Sequence, residues 1–155
     1  MATRDELFFT EFDFLAIDVD DHIGMFSSAG FGPLPVAVLA DPERELDALD
    51  TTELLPRITD TVGSFFGRPA PNGDYSSWLS WVQRGLFAYD WKGAYGPYTS
   101  VGVPAEPVRH AALTPIASRL GALPRLTVCF ADCNVVDLAA SGVAVDPAPD
   151  PRTTP

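Results

Sequence analysis

Lysine is almost missing from this chain. Lys92 is the only one, and Lys plus Arg together number 10 against 21 Asp plus Glu, a formal net charge of −11. Nucleic-acid binding draws on a basic surface that displaces counterions from phosphates. Nothing here supplies one, and that class is excluded. Cysteine is scarce too: Cys129 and Cys133 sit in one short segment rather than a spaced framework. Free thiols in a reducing compartment follow, and the cytoplasm is the expected location. Their Cys-x-x-x-Cys spacing fits neither zinc knuckles nor redox dithiols, and no second ligand pair accompanies it. No apolar run approaches the ~18 residues of a membrane-spanning helix. The opening "MATRDELFFTEFDF" has no basic region leading into an apolar one, so neither a membrane association nor an export signal is expected. Histidine is limited to His22 and His110, and no Gly-x-Ser-x-Gly elbow presents Ser27 or Ser28 as a nucleophile.

What is plentiful is apolar. Hydrophobic residues make up 46% and aromatics 11% of 155 residues, enough for one packed core. A chain of this size buries roughly 68–70% of its unfolded surface, so it needs no metal, cofactor or disulfide to hold together. The acidic balance maintains solubility, or steers encounter with a basic partner.

Along the chain, "FDFLAIDV" (12–19) and "HIGMFSS" (22–28) read as a β-hairpin turning at Asp20–Asp21, and "VAVLA" (36–40) as a third short strand. Asp41 then caps a helix with Pro42 at its first position, and Glu43 and Glu45 suit its dipole. Leu46, Leu49, Leu54, Ile58 and Val62 approximate its core-facing stripe, broken at Pro56. A second helix, "SSWLSWVQRG", starts from an Asp74 or Ser76 cap, buries Trp78, Leu79, Trp81 and Val82, and ends at Gly85. "LFAYDW" (86–91) and "YTSVGVP" (98–104) pair around a Gly/Tyr loop. A short helix over "PIASRLGA" and a strand over "RLTVCFA" (125–131) complete the pattern. The fold class is α+β: a mostly antiparallel sheet with short helices packed on one side, in a single domain over residues 1–141. A Pro-rich, flexible tail over 142–155 follows.

Two constellations compete for a function. Asp18, Asp20 and Asp21 end an apolar strand, loosely resembling the Asp-x-Asp nucleophile motif of haloacid dehalogenase-type phosphatases. There the carboxylates attack phosphorus and hold magnesium. That pattern would make the protein a divalent-metal-dependent hydrolase using Asp18 and Asp20. The small hydroxylic or β-branched residue expected two positions after the second Asp is His22 instead, and no downstream acidic loop is evident. Turn chemistry accounts for the same three residues without an ion, so no catalytic and no metal residues are assigned. The glycines of "SAGFGPLP" are followed by prolines that offer no N–H to a phosphate. Cys129 reads as a core thiol. The second constellation is aromatic: Trp91, Tyr95 and Tyr98 flank the loop "WKGAYGPY". Such residues make interface anchors, pocket walls or core.

The combination "FDFLAIDVDDHIGMFSSAGFGPLP", "RGLFAYDW" and "FADCNVV", over roughly residues 8–137, resembles a group of small bacterial proteins. Some of these are similar to the immunity partners of polymorphic toxin systems. The resemblance implies a fold and a protein-binding role, and brings no catalytic residues. The expected function is therefore non-enzymatic: an acidic protein that neutralises a basic toxin by direct binding. Asp18, Asp20, Asp21 and Asp90, with Asp13 and Glu106, would steer encounter, while Trp91, Tyr95 and Tyr98 would be buried on contact. A structural homo-oligomer built on the aromatic patch is the remaining alternative.

Overall fold

The computed structural model describes Glu6 and residues 12–29, 32–58, 62–65, 76–91, 97–113, 120 and 122–146. The predicted hairpin forms from β1 (Asp13–Ile17) and β2 (Ile23–Ser27), paired antiparallel from Asp13↔Ser27 to Ile17↔Ile23. Strand β2 pairs in parallel with β5 (Phe87–Trp91), which pairs antiparallel with β6 (Tyr98–Pro104). Two short strands share the far side of β6: β4 (Val62–Phe65) at its end and β7 (Val135–Val136) at its start. Leu34–Pro35 (β3) and Val145–Asp146 (β8) make a second, two-stranded sheet. Helices α1 (Val36–Ala40), α2 (Pro42–Thr52) and α3 (Ser76–Gln83) complete an α+β domain with a mostly antiparallel sheet, as the paired strands predicted. None of the helices described is long and apolar enough to cross a membrane.

Strand alternation sorts the core into two layers. Phe14, Ala16, Phe26, Phe87, Tyr89 and Tyr98 share one face and pack with α1 and with Leu126, Phe130, Val136 and Leu138. Its centre is aromatic. Phe26 stacks on Phe14 and Tyr89 with ring centroids 5.1 and 4.9 Å apart, and Tyr98 meets Phe14 and Phe26 edge-on. The opposite face carries Leu15, Ile17, Ile23 and Met25 under Ala48 of α2 and Trp81 of α3, and Ala88 and Val101 under Val82.

Local signals placed several boundaries well. Asp41 caps α2 by accepting from the Arg44 N–H at 3.1 Å, with Pro42 next. Gly85 ends α3 at φ +89°, where Leu86 N–H reaches back to the Trp81 carbonyl; a side chain there would be strained.

Four expectations need correction. Residues 36–40 form helix α1, because only the adjacent Val38 and Leu39 are buried, a helical rather than an alternating pattern. Residues 125–131 form no ladder strand. Arg125 makes a single bridge to Ile17, and Phe130–Asp132 is a 3-10 turn, because the segment is bonded to the end of β1 and to the acidic turn. Residues 142–146, assigned to the tail, belong to the fold, since β8 pairs with β3 and Val143 and Val145 pack on the core; 147–155 lie outside the described residues. Finally, α2 is rotated relative to its leucine stripe. Glu45, Ala48, Thr51 and Thr52 face inward with Leu49 half-buried against the core beside them, while Leu46, Leu54 and Ile58 are exposed. Most of the helix expected over "PIASRLGA" lies outside the described residues.

Candidate functional site

The acidic turn is a structural junction. Asp18 is fully buried, and one of its oxygens accepts from the N–H groups of both Asp20 and His22 at 2.9 Å. The other accepts from Phe130 N–H at 2.8 Å. Asp21 adopts φ +66°, a turn conformation Asp tolerates, and its carboxylate takes the Ala111 N–H at 2.8 Å and faces Arg125 at 3.5 Å. Asp20 is exposed and accepts a hydrogen bond from the Cys129 thiol at 3.1 Å. Three acids thus tie the hairpin to two distant segments, 109–111 and 125–130. Asp18 is therefore not one of the exposed steering charges expected of it.

The ligand atoms of Asp18, Asp20 and Cys129 lie within 4.8 Å of one another. As a cation site the set is poor. Both Asp18 oxygens already accept backbone N–H groups, and the hydrogen bond to Asp20, followed by burial, pushes the Cys129 thiol up to about 11. A cation there would have to displace the Cys129 proton and its hydrogen bond to Asp20. The nucleophile candidates are equally committed. Buried Ser27 accepts from Trp78 Nε1 at 3.0 Å and buried Ser28 from Phe12 N–H at 3.3 Å. His22 Nδ1 stands 3.7 Å from Asp18 Oδ2, beyond hydrogen-bond length, and its ring lies against Phe87.

At the other end of the sheet lies a cleft. Trp91 closes β5 and Tyr98 opens β6, and the two are register partners with ring centroids 5.2 Å apart. Tyr98 is wholly buried, and its hydroxyl donates to the Pro33 carbonyl at 2.9 Å. It is core, and of these two only Trp91, half-buried, still fronts the surface. Gly32 makes this possible, because a Cβ there would stand 2.6 Å from the Tyr98 hydroxyl and 3.0 Å from Trp91 Cγ. The "AGFGP" glycine is thus a close-approach glycine, not a phosphate cradle. Pro33, Trp91, Pro97, Tyr98 and Val136–Leu138 line a cleft of about 150 Å³. Ligand pockets run to about 300–1,000 Å³, so this one admits a side chain and little more. The Trp91 indole N–H, shielded from water, has no acceptor among the described residues. Packing alone leaves that donor at a cost of about 1–3 kcal/mol.

The residues expected to form one partner face divide in two. β2 pairs with β5 so that Ser27 sits beside Asp90, whereas the Asp18–Asp21 turn joins the opposite end of β2 at Ile23. Four residue steps, about 13 Å of strand, separate the acidic turn from the Asp90–Trp91 end. Tyr95 lies outside the described residues.

A third feature was hidden by the leucine periodicity of α2. Glu43, Leu46, Asp47, Asp50, Glu53 and Leu54 form one exposed stripe along this helix and the turn after it, with Leu46 51% and Leu54 60% exposed. Inward, Glu45 is buried, and one of its oxygens accepts from Leu15 N–H at 2.7 Å. Burial raises its carboxyl to about 7. Its hydrogen bond to an N–H of the edge strand β1, invisible in sequence, gives an acid rather than a leucine a place against the sheet.

Compared with known proteins, the chain matches no family model, no curated protein and no solved structure.

Proposed function

We propose that this protein acts by binding a basic protein partner, as an immunity protein neutralises a toxin, and not by catalysis. The observation that carries the reading is the Trp91 cleft, sized for one inserted side chain and walled by Pro33, Pro97 and Tyr98. Such an aromatic-edged socket is the form of an interface anchor. The groups that would serve a hydrolase support the same reading from the other side. Asp18, Ser27, Ser28 and Cys129 all hold bonds that shape the fold. The net charge of −11 favours encounter with a basic counterpart over association with a like-charged copy.

The test is co-purification with the protein encoded beside it, followed by dissociation kinetics. A one-to-one complex that dissociates about tenfold faster with Trp91→Ala is the expected result. Magnesium-dependent phosphate-ester hydrolysis that disappears in Asp20→Asn would overturn the reading in favour of an enzyme.

A further inference from the structure

We infer that the outward face of α2 and the turn after it, with Leu46 and Leu54 set among carboxylates, is a second docking surface, which receives a basic amphipathic segment of the partner. The inference rests on the partner-binding reading above, but on a different part of the molecule.

The facing of α2 is the first argument. A helix that only completed the fold would turn its leucines toward the sheet and its acids toward water. Here Ala48, two threonines and Glu45 face in, while Leu46 and Leu54 stand in solvent. Leu49 and Leu55 pack inward, and Leu46 and Leu54 are thus the two leucines the fold leaves over, on the outward side of α2 and of the turn after it.

Charge identifies the occupant. Glu43, Asp47, Asp50 and Glu53 share the exposed stripe, and the helix's sole basic residue, Arg44, donates to the Ala122 carbonyl at 2.6 Å. Beside the stripe runs a groove of about 510 Å³ lined, among the described residues, by Asp47, Asp50, Thr51 and Leu54. Apolar side chains flanked by Lys or Arg match a leucine pair edged by carboxylates, the former giving residence and the latter encounter rate. A second copy of this chain fits badly, since a two-fold contact would set the same acids against one another.

The probe is a labelled amphipathic Lys/Leu peptide, with a Glu/Leu peptide of equal length as control, titrated against the full chain by fluorescence polarisation. We expect saturable one-to-one binding of the Lys/Leu peptide alone. It should weaken about tenfold or more in the Leu46→Ser/Leu54→Ser variant and in Asp47→Asn/Asp50→Asn. These positions are exposed, and unchanged thermal melting of both variants checks that the fold is intact. Equal binding by wild type and the leucine variant would reduce the effect to general charge attraction and overturn the proposal. So would a wild-type dimer that Leu46→Ser dissociates, which would assign the face to a second copy. If Trp91→Ala alone weakens binding, this face is eliminated while the partner-binding reading stands. Catalytic turnover in the preceding test eliminates that reading independently.

Discussion

Asp18 commits both carboxylate oxygens to backbone N–H groups, so its removal should act on stability rather than on chemistry. Asp18→Ala leaves Phe130 N–H buried without an acceptor and strips two more bonds from the turn. A loss of about 3–5 kcal/mol is expected, read as a lower urea midpoint at constant slope. Magnesium should leave the wild-type melting temperature unchanged; a rise that Asp20→Asn abolishes would contradict the junction reading. Glu45 gives a pH dependence of the opposite sign to an ordinary paired acid. Its carboxyl lies near 7 in the fold against 4.5 when exposed, so the folded state holds the proton more tightly. That contribution is complete below about pH 4.5 and is lost as pH rises through 7. The rise from 4.5 to about 7 corresponds to about 3 kcal/mol. Glu45→Gln keeps an acceptor for Leu15 N–H and removes the titration. Its unfolding free energy should exceed that of wild type at pH 8, with a flatter profile between pH 5 and 8. Turn chemistry at Asp18–Asp21 was legible in sequence because it is local. The depth of Asp18 was not, because it depends on Phe130, 112 positions away.

At the scale of elements, the edge of β1 and of the residues just after it is sealed by one side chain and two backbone carbonyls. The outward N–H groups of Leu15, Ile17 and Val19 go to the Glu45 carboxylate, the Pro124 carbonyl and the Val128 carbonyl. An open edge invites pairing with another chain, so this strand is unavailable for β-augmentation. Hydrogen exchange should find all three amides protected in wild type, and Leu15 alone deprotected in Glu45→Ala. The approach of Pro33 to Tyr98 depends on a small residue at Gly32. In Gly32→Ala the new methyl group meets the Tyr98 hydroxyl, displaces its bond to Pro33 and opens the cleft. A loss of about 1–3 kcal/mol and an altered near-ultraviolet spectrum of Trp91 are expected. Element existence was readable where caps and alternation agreed, as in α2, α3 and the hairpin. Residues 125–131 misled because their strand-forming side chains are recruited singly by β1 and by Asp18, so no ladder is extended.

The whole molecule carries 21 carboxylates against 10 Lys plus Arg. With a net charge of −11, association with the basic partner proposed above should be steered from a distance. The association rate is expected to fall about tenfold or more between low salt and 1 M, where the Debye length shrinks to about 3 Å, while the dissociation rate changes little. Stopped-flow measurement across salt separates the two. A rate independent of salt would argue that the acids serve solubility alone.

Sequence by itself determined the α+β class, the hairpin and its turn residues, the capped start of α2 and the glycine end of α3. Each of these follows from interactions within a few residues. Tertiary structure alone decided which side of α2 met the sheet, which aromatics became core and which stayed at the surface, and that the acidic turn and Trp91 stand at opposite ends of one strand pair. Those outcomes depend on contacts between segments far apart in the chain. Helical periodicity marks a stripe of leucines without saying whether the fold or a partner covers it.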